Sequence, residues 1–375
     1  MMMLECDAKR LLASVGVNVP RGTIWRSGES APESISEYPV AVKAQVRSGG
    51  RGKQGGVRQV KDAAALISAA NKLFQTEFNG EKPEALLIEP WLAIEREAYL
   101  SVAVDGRAEG YVVMYASRGG VDIEDGAPPA QYAVGAPWNF RVHRLREVLE
   151  TAEPDYQWRE KVIALAQRLV RTAASRDCTT IEINPLVKLA DGTMLAGDAK
   201  IVLDEWAAFR NTRIQREREA LKQRADRYLR DCLDMQHMYV RLDGDIGIIS
   251  GGAGMTMAAM DMVAEHGGRP ACFLDCSPGP TSTRGYRPAF AMLDADSAVK
   301  VILVSVFGGG TQMQRVANSM KEVMAGRKSG KPVVFRLDGT NVDQVPEIFA
   351  QFGAHNHLRL EDAVAEAVRL AGART

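Results

Sequence analysis

Val40-Ala-Val-Lys-Ala-Gln-Val-Arg-Ser-Gly-Gly-Arg-Gly-Lys-Gln-Gly-Gly-Val57 runs a short apolar strand into a stretch that cannot hold regular structure. Val40 and Val42 alternate as on a strand, and Lys43 stands just ahead of the glycine run. Glycines leave a backbone free to approach a ligand closely. A strand lysine ahead of such a loop can ion-pair phosphate oxygens while the loop N–H groups close over them, so the segment points to a nucleoside triphosphate. Standing alone, the loop could equally be a surface turn with a solvated lysine.

Outward from this segment, Leu4 to Ser14 has helical spacing and is stopped by Gly16 to Pro20. Ala85–Glu89, Ala98–Val104 and Gly110–Ser117 read as strands, and Trp158 to Ala174 as a helix. Thr179 to Asp198 predicts a hairpin turning at Asp191-Gly192. Side chains alternate along a strand, so Glu182 and Asn184 share one face and Ile181 and Ile183 the other. A loop of Ala190 to Gly192 would set Asp198 opposite Asn184, and three oxygen-bearing side chains would converge.

Asp204 to Met238 is densely charged and predicts a surface helix leading to a second domain. From Asp245 short β-runs alternate with helices: Ile246–Ile249, Ala271–Asp275, Val299–Val306, Val333–Leu337, then a helix over Leu360 to Ala371. That rhythm implies an α/β domain with a parallel, doubly wound sheet. Two more glycine clusters, Ser250-Gly-Gly-Ala-Gly254 and Phe307-Gly-Gly-Gly-Thr311, each join a strand to a helix. Backbone N–H groups and the positive end of a helix meet at such junctions, which suits phosphate or carboxylate.

The chain has 375 residues, enough for two or three domains. Lys and Arg balance Asp and Glu at 47 each, so no overall field would gather nucleic acid or an anionic membrane. Five cysteines without a C-x-x-C pair argue against a disulfide framework or a zinc ribbon. No apolar run approaches the roughly 18 residues of a membrane span, and the N-terminus lacks a long apolar segment, so the expected location is the cytoplasm.

The lysine and glycine segment, together with Glu182-Ile-Asn-Pro-Leu186, resembles the β subunit of succinyl-CoA synthetase and its ATP-grasp relatives, malate–CoA ligase-like members included. The resemblance extends from Leu4-Glu-Cys-Asp-Ala-Lys9 to the C-terminus. It implies an ATP-grasp domain over 1–235 and a flavodoxin-like, doubly wound CoA-ligase domain over 236–375. It further implies that Lys43, Gly50, Arg51 and Gly52 contact ATP phosphates, and that Glu89 and Glu97 hold the base and ribose side. By the same resemblance Asn184 and Asp198 match magnesium ligands, and Glu182 the carboxylate that orients a phosphorylated histidine. Gly251, Gly252, Gly309, Gly310 and Thr311 match the loops that face the phosphohistidine and the carboxylate substrate.

The chain departs from that pattern at the substrate end. Gly251 and Thr340 stand where the family has asparagine, Ser277-Pro-Gly-Pro280 replaces a glycine run, and Thr311-Gln-Met-Gln314 lacks the usual arginine and acid. The five histidines, His143, His237, His266, His355 and His357, lie outside any Gly-His-Ala-Gly context. The resemblance therefore implies an α-type partner that supplies the histidine and binds CoA, in a hetero-oligomer. The expected activity is ADP-forming acyl-CoA synthesis on succinate, malate or another diacid. A carboxylate–amine ligase and a non-catalytic partner subunit are the alternatives.

Overall fold

The computed structural model describes residues 1–120, 128–224, 230, 237–276 and 283–372, and the chain divides into two compact units, Met1–Arg216 and Glu217–Thr375. The Ser277-Pro-Gly-Pro280 departure lies outside the described residues.

The first unit holds two antiparallel sheets. The smaller contains β1 (Thr23–Arg26), β2 (Val40–Gln45), β3 (Val57–Val60) and β4 (Ala85–Pro90), in the order β1-β4-β2-β3. Every residue of β2 is buried: helix α2 (Ala63–Gln75) packs Leu66, Ala70 and Leu73 into one core with Val40, Val42 and Ile88, while Lys43 and Gln45, on the opposite face, bond to Glu5. Asp62 starts that helix by accepting a hydrogen bond from the Ala65 N–H at 2.8 Å.

The larger sheet runs β10 (Lys200–Leu203), β8 (Cys178–Leu189), β5 (Ile94–Asp105), β6 (Gly110–Ala116), β7 (Ala130–Gly135), with β9 (Met194–Ala196) paired to β8. Helices α1 (Glu5–Ser14), α3 (Val142–Ala152) and α4 (Tyr156–Ser175) share its core; Trp158, Ile163 and Leu169 pack with Leu100, Ile181 and Ile183. A buried polar knot ties α3 to α4. Glu153, with no exposed surface, accepts from Arg96 on β5, from the Tyr115 hydroxyl on β6 and from the Asp155 N–H at 3.1 Å. The Trp158 indole N–H in turn donates to the Tyr115 oxygen at 3.2 Å.

The hairpin follows the period-2 expectation. Leu186 pairs with Ala196 and Glu182 with Lys200, and this one frame sets Asn184 opposite Asp198. The turn is the three residues Ala190 to Gly192; Leu189 donates to the Thr193 carbonyl, and Gly192, at φ 78°, supplies the left-handed residue.

The second unit is built on β11 (Met238–Arg241), β12 (Ile246–Ser250), β13 (Cys272–Asp275), β14 (Val301–Gly308), β15 (Val333–Gly339) and β16 (Asn356–His357), ordered β11-β13-β12-β14-β15-β16. From β13 to β16 the pairs are parallel in the flavodoxin order, so the strand order reverses between β12 and β14. Helix α5 (Thr212–Arg224) precedes the sheet and crosses the unit boundary. Helices α6 (Ala253–Glu265), α7 (Thr283–Ala295), α8 (Met313–Gly326), α9 (Val345–Ala350) and α10 (Leu360–Gly372) follow its strands.

One element differs from expectation. The charged stretch after Asp204 opens with a 3-10 turn, Glu205–Phe209, before α5, and Met238, its last residue, begins a strand. Met238-Tyr-Val-Arg241 is an antiparallel edge strand on Cys272–Asp275, where the aromatic Tyr239 and β-branched Val240 at its centre favour a strand. Among the described residues Cys6, Cys178, Cys272 and Cys276 are unbridged and buried, and no helix is long and apolar enough to cross a membrane.

Candidate active site

A cleft of about 660 Å³ in the first unit is lined by β2, the glycine loop, the end of β4 and the β8–β10 hairpin. It brings together Lys43, Gly50, Arg51, Gly52, Glu89, Glu182, Asn184 and Asp198. Glu97 is outside the lining, but its carboxylate lies against Gly120, which is part of it; a Cβ on Gly120 would sit 3.0 Å from Glu97 Oε2. Burial raises the Glu97 pKa.

The floor of the cleft is a buried cluster of charges. Lys43 Nζ donates to Glu5 Oε1 at 2.9 Å and to the Gly197 carbonyl at 2.8 Å, and lies 2.9 Å from Glu89 Oε2. Lys9, on α1, uses the same partners: 2.8 Å to Glu5, 2.7 Å to each Glu89 oxygen and 2.8 Å to Gly197. Arg51 donates to the Ala44 carbonyl at 2.8 Å, to Glu5, and to the Asp198 oxygens at 3.3 and 3.2 Å. The Glu5 and Glu89 side chains are 2% exposed and Asp198 is 35% exposed, so Asp198 is the acid that faces the opening.

These contacts fix the ionisation. Burial alone would raise the Glu5 carboxyl, but the charges of Arg51, Lys43 and Lys9 outweigh it and hold Glu5 well below the usual carboxylate range. Burial likewise works against the charged form of Lys43, and Glu5, Asp198 and Glu89 hold its pKa above the usual lysine value. Because the folded value of Glu5 is depressed, its contribution to stability is complete above the ordinary carboxylate range and is lost as pH falls through the folded value. Melting temperatures followed downward from pH 7 are expected to fall less steeply for Glu5→Gln than for the wild type; parallel curves would refute this.

Asn184 is held in place by Gly120: its Oδ1 accepts the Gly120 N–H at 2.6 Å, and its Nδ2 donates to the Gly120 carbonyl at 3.1 Å. Asp198 Oδ1 also accepts the N–H of Ala199 at 2.6 Å. The amide and carboxylate oxygens on facing strands are hard donors of the kind magnesium takes. Among the described residues no three His, Cys, Asp or Glu side chains form a cage, so an ion here would draw its remaining oxygens from nucleotide and water. These residues fit magnesium and do not suit a zinc site.

In the second unit the two glycine junctions follow β12 and β14, on either side of the point where strand order reverses, the usual ligand crevice of such sheets. Gly252, at φ 101°, begins α6, and its N–H donates to Asp275 Oδ1 at 2.7 Å. Gly309 and Gly310 have open space where a Cβ would stand, and Thr340 Oγ1 donates to the Gly309 carbonyl at 2.6 Å, fastening the loop that carries Thr311.

Sequence reasoning gave no role to Glu5, Lys9 or Asp275. Glu5 and Lys9 stand four apart on α1, a spacing that by itself reads as a surface ion pair. In the structure Glu5, Ala8, Lys9 and Leu12 are all buried, so the charges share the face of the apolar stripe, a placement set by how the helix docks and not by its local sequence.

The chain matches the ATP-grasp domain family over residues 2–188 and the CoA-ligase family over residues 249–374. It is 32% identical to succinate–CoA ligase [ADP-forming] subunit beta 2 of Archaeoglobus fulgidus, with 99% of each chain covered. It is 35% identical to the corresponding subunit beta of Halorhodospira halophila, again over 99% of each. Among solved structures it is similar in fold to ATP citrate lyase from Methanothrix soehngenii, with a TM-score of 0.71, 16% identity, and coverage of 98% of this chain and 99% of that one. The chain therefore belongs to the β-subunit family of ADP-forming succinate–CoA ligases, and it is an acid–thiol ligase subunit.

Proposed function

We propose that the chain binds ATP with magnesium in the cleft of the first unit and works with an α-type partner to make a carboxylate CoA thioester. The reaction has three steps. A partner histidine attacks the γ-phosphorus and ADP leaves; the phosphoryl group passes to a carboxylate oxygen; CoA thiolate attacks the acyl phosphate and releases phosphate. The observation that carries the reading is the convergence of Lys43, Arg51 and Asp198 on one cleft.

Lys43 and Arg51 hold phosphate oxygens, with Gly50 and Gly52 letting the loop backbone close over them. Asn184 and Asp198 hold magnesium, which when bound neutralises triphosphate charge. Glu182 takes the imidazole N–H and stabilises the imidazolium form of the partner histidine. Glu97 serves the base and ribose, and Glu89 acts on the nucleotide through Lys43. Gly251, Gly252, Gly309, Gly310 and Thr311 face the phosphohistidine and the carboxylate. With glycine at 251 in place of an amide side chain, the substrate is succinate, malate or another substituted or larger diacid.

Co-expression with the α-type chain, followed by γ-labelled ATP, is expected to label a partner histidine. A hydroxamate screen over small carboxylates then identifies the acid. Absence of a histidine label in the active assembly refutes the scheme. Turnover by the single chain without CoA would instead indicate a carboxylate–amine ligase.

A further inference from the structure

Lys9 lies outside the cleft lining, and its side chain is 4% exposed, yet it duplicates the bonding of Lys43 acceptor for acceptor. Both ammonium groups reach Glu5 Oε1, the Glu89 carboxylate and the Gly197 carbonyl, all within 2.9 Å. An ammonium has three N–H donors, so each lysine is saturated by these three partners. For Lys43 to turn an N–H toward a phosphate, at least one buried acceptor must give it up. A buried carboxylate left without a cation is costly, and that cost would normally pin Lys43 to the floor.

Lys9 removes this obstacle, because Glu5, Glu89 and Gly197 keep a partner when Lys43 moves. The charges agree. Two deep carboxylates, Glu5 and Glu89, face three cations, Lys9, Lys43 and Arg51, so the floor carries one positive charge beyond its own acids. At rest Arg51 directs that excess to Asp198. Without Lys9 the count becomes two against two, and Lys43 and Arg51 are committed to Glu5 and Glu89.

We propose that Lys9 is a positioning residue for the nucleotide phosphates: by standing in for Lys43 at Glu5, Glu89 and Gly197, it frees Lys43 to engage the triphosphate. This rests on the reading that Lys43 meets phosphate. The distinguishing property is that Lys9 should matter for the phosphates beyond the first and not for the nucleoside.

The test titrates the full-length chain with AMP, ADP and ATP in excess magnesium, comparing wild type, Lys9→Met and Lys9→Arg. A wild-type chain that fails to prefer ADP over AMP overturns the phosphate reading itself, before any variant is measured. Given that preference, Lys9→Met is expected to lose about tenfold in ADP and ATP affinity, the scale of one buried charge near the phosphates, with AMP within about twofold. Lys9→Arg, which keeps the charge, is expected to recover most of the loss. Equal losses for all three nucleotides, as a merely structural role would give, or no loss for ADP, overturns the proposal. Should Lys9→Met fail to fold, Lys9→Gln, which keeps a donor toward Gly197, is read by the same outcomes.

Discussion

Lys43→Met is expected to remove nearly all nucleotide-dependent activity while leaving the first unit folded. Loss of a charge aimed at the transferring phosphoryl group should lower kcat/KM for ATP by roughly a hundred- to a thousandfold. The structural argument concerns stability. Lys43 is buried among acids, and breaking one partner out of a buried ion pair ordinarily costs about 3–5 kcal/mol. Here Lys9 contacts Glu5, both oxygens of Glu89 and the Gly197 carbonyl, so none of Lys43's acceptors is stranded. The loss should be about 1 kcal/mol. Urea unfolding and steady-state kinetics on the same preparation check both halves. A variant that unfolds readily would show that Lys9 does not substitute for Lys43, and one that keeps its activity would remove Lys43 from the site.

Glu153→Ala is expected to give a large loss of stability in the first unit, although Glu153 lies outside the cleft. The Glu153 carboxylate is fully buried and collects Arg96, the Tyr115 hydroxyl and the Asp155 N–H, while Tyr115 also receives the Trp158 indole. Truncation strands a hydroxyl and a half-buried guanidinium, and it loosens the junction that delivers α4 to the sheet. The expected cost is about 3 kcal/mol, a fall of roughly 10 °C in Tm for a unit of this size. Glu153→Gln, which can still accept from Tyr115, should lose about half as much. A change below about 1 kcal/mol would show that water replaces these bonds.

Much of this architecture could be read from the sequence because its signals are local. The hairpin register needed only the period of two and a three-residue turn, and Asn184 faces Asp198 as that count requires. The alternation after Asp245 gave the parallel sheet, and its glycine junctions fall where the strand order reverses. The unread parts depend on tertiary placement. No local rule says that the charged pair Glu5 and Lys9 will be turned inward, since that is decided by docking α1 against a sheet whose edge strand lies almost two hundred residues later. Strand β11 is four residues long and half exposed, too short for periodicity to separate it from the charged helix before it. Glu89 was assigned to the base and ribose side by resemblance; its commitment to Lys9 and Lys43 emerges only when α1 is in place.

The glycine loop that looks like a self-contained phosphate grip is not modular. Its arginine reaches Glu5 and Asp198, its strand lysine reaches Gly197, and the lysine beside it comes from α1, so partners 38 to 188 residues apart must meet at one point. A peptide carrying Val40 to Val57 would have the glycines, Lys43 and Arg51 and still lack every acid that orients them. Transplanting the loop into another scaffold would therefore carry over its flexibility and leave its aim behind.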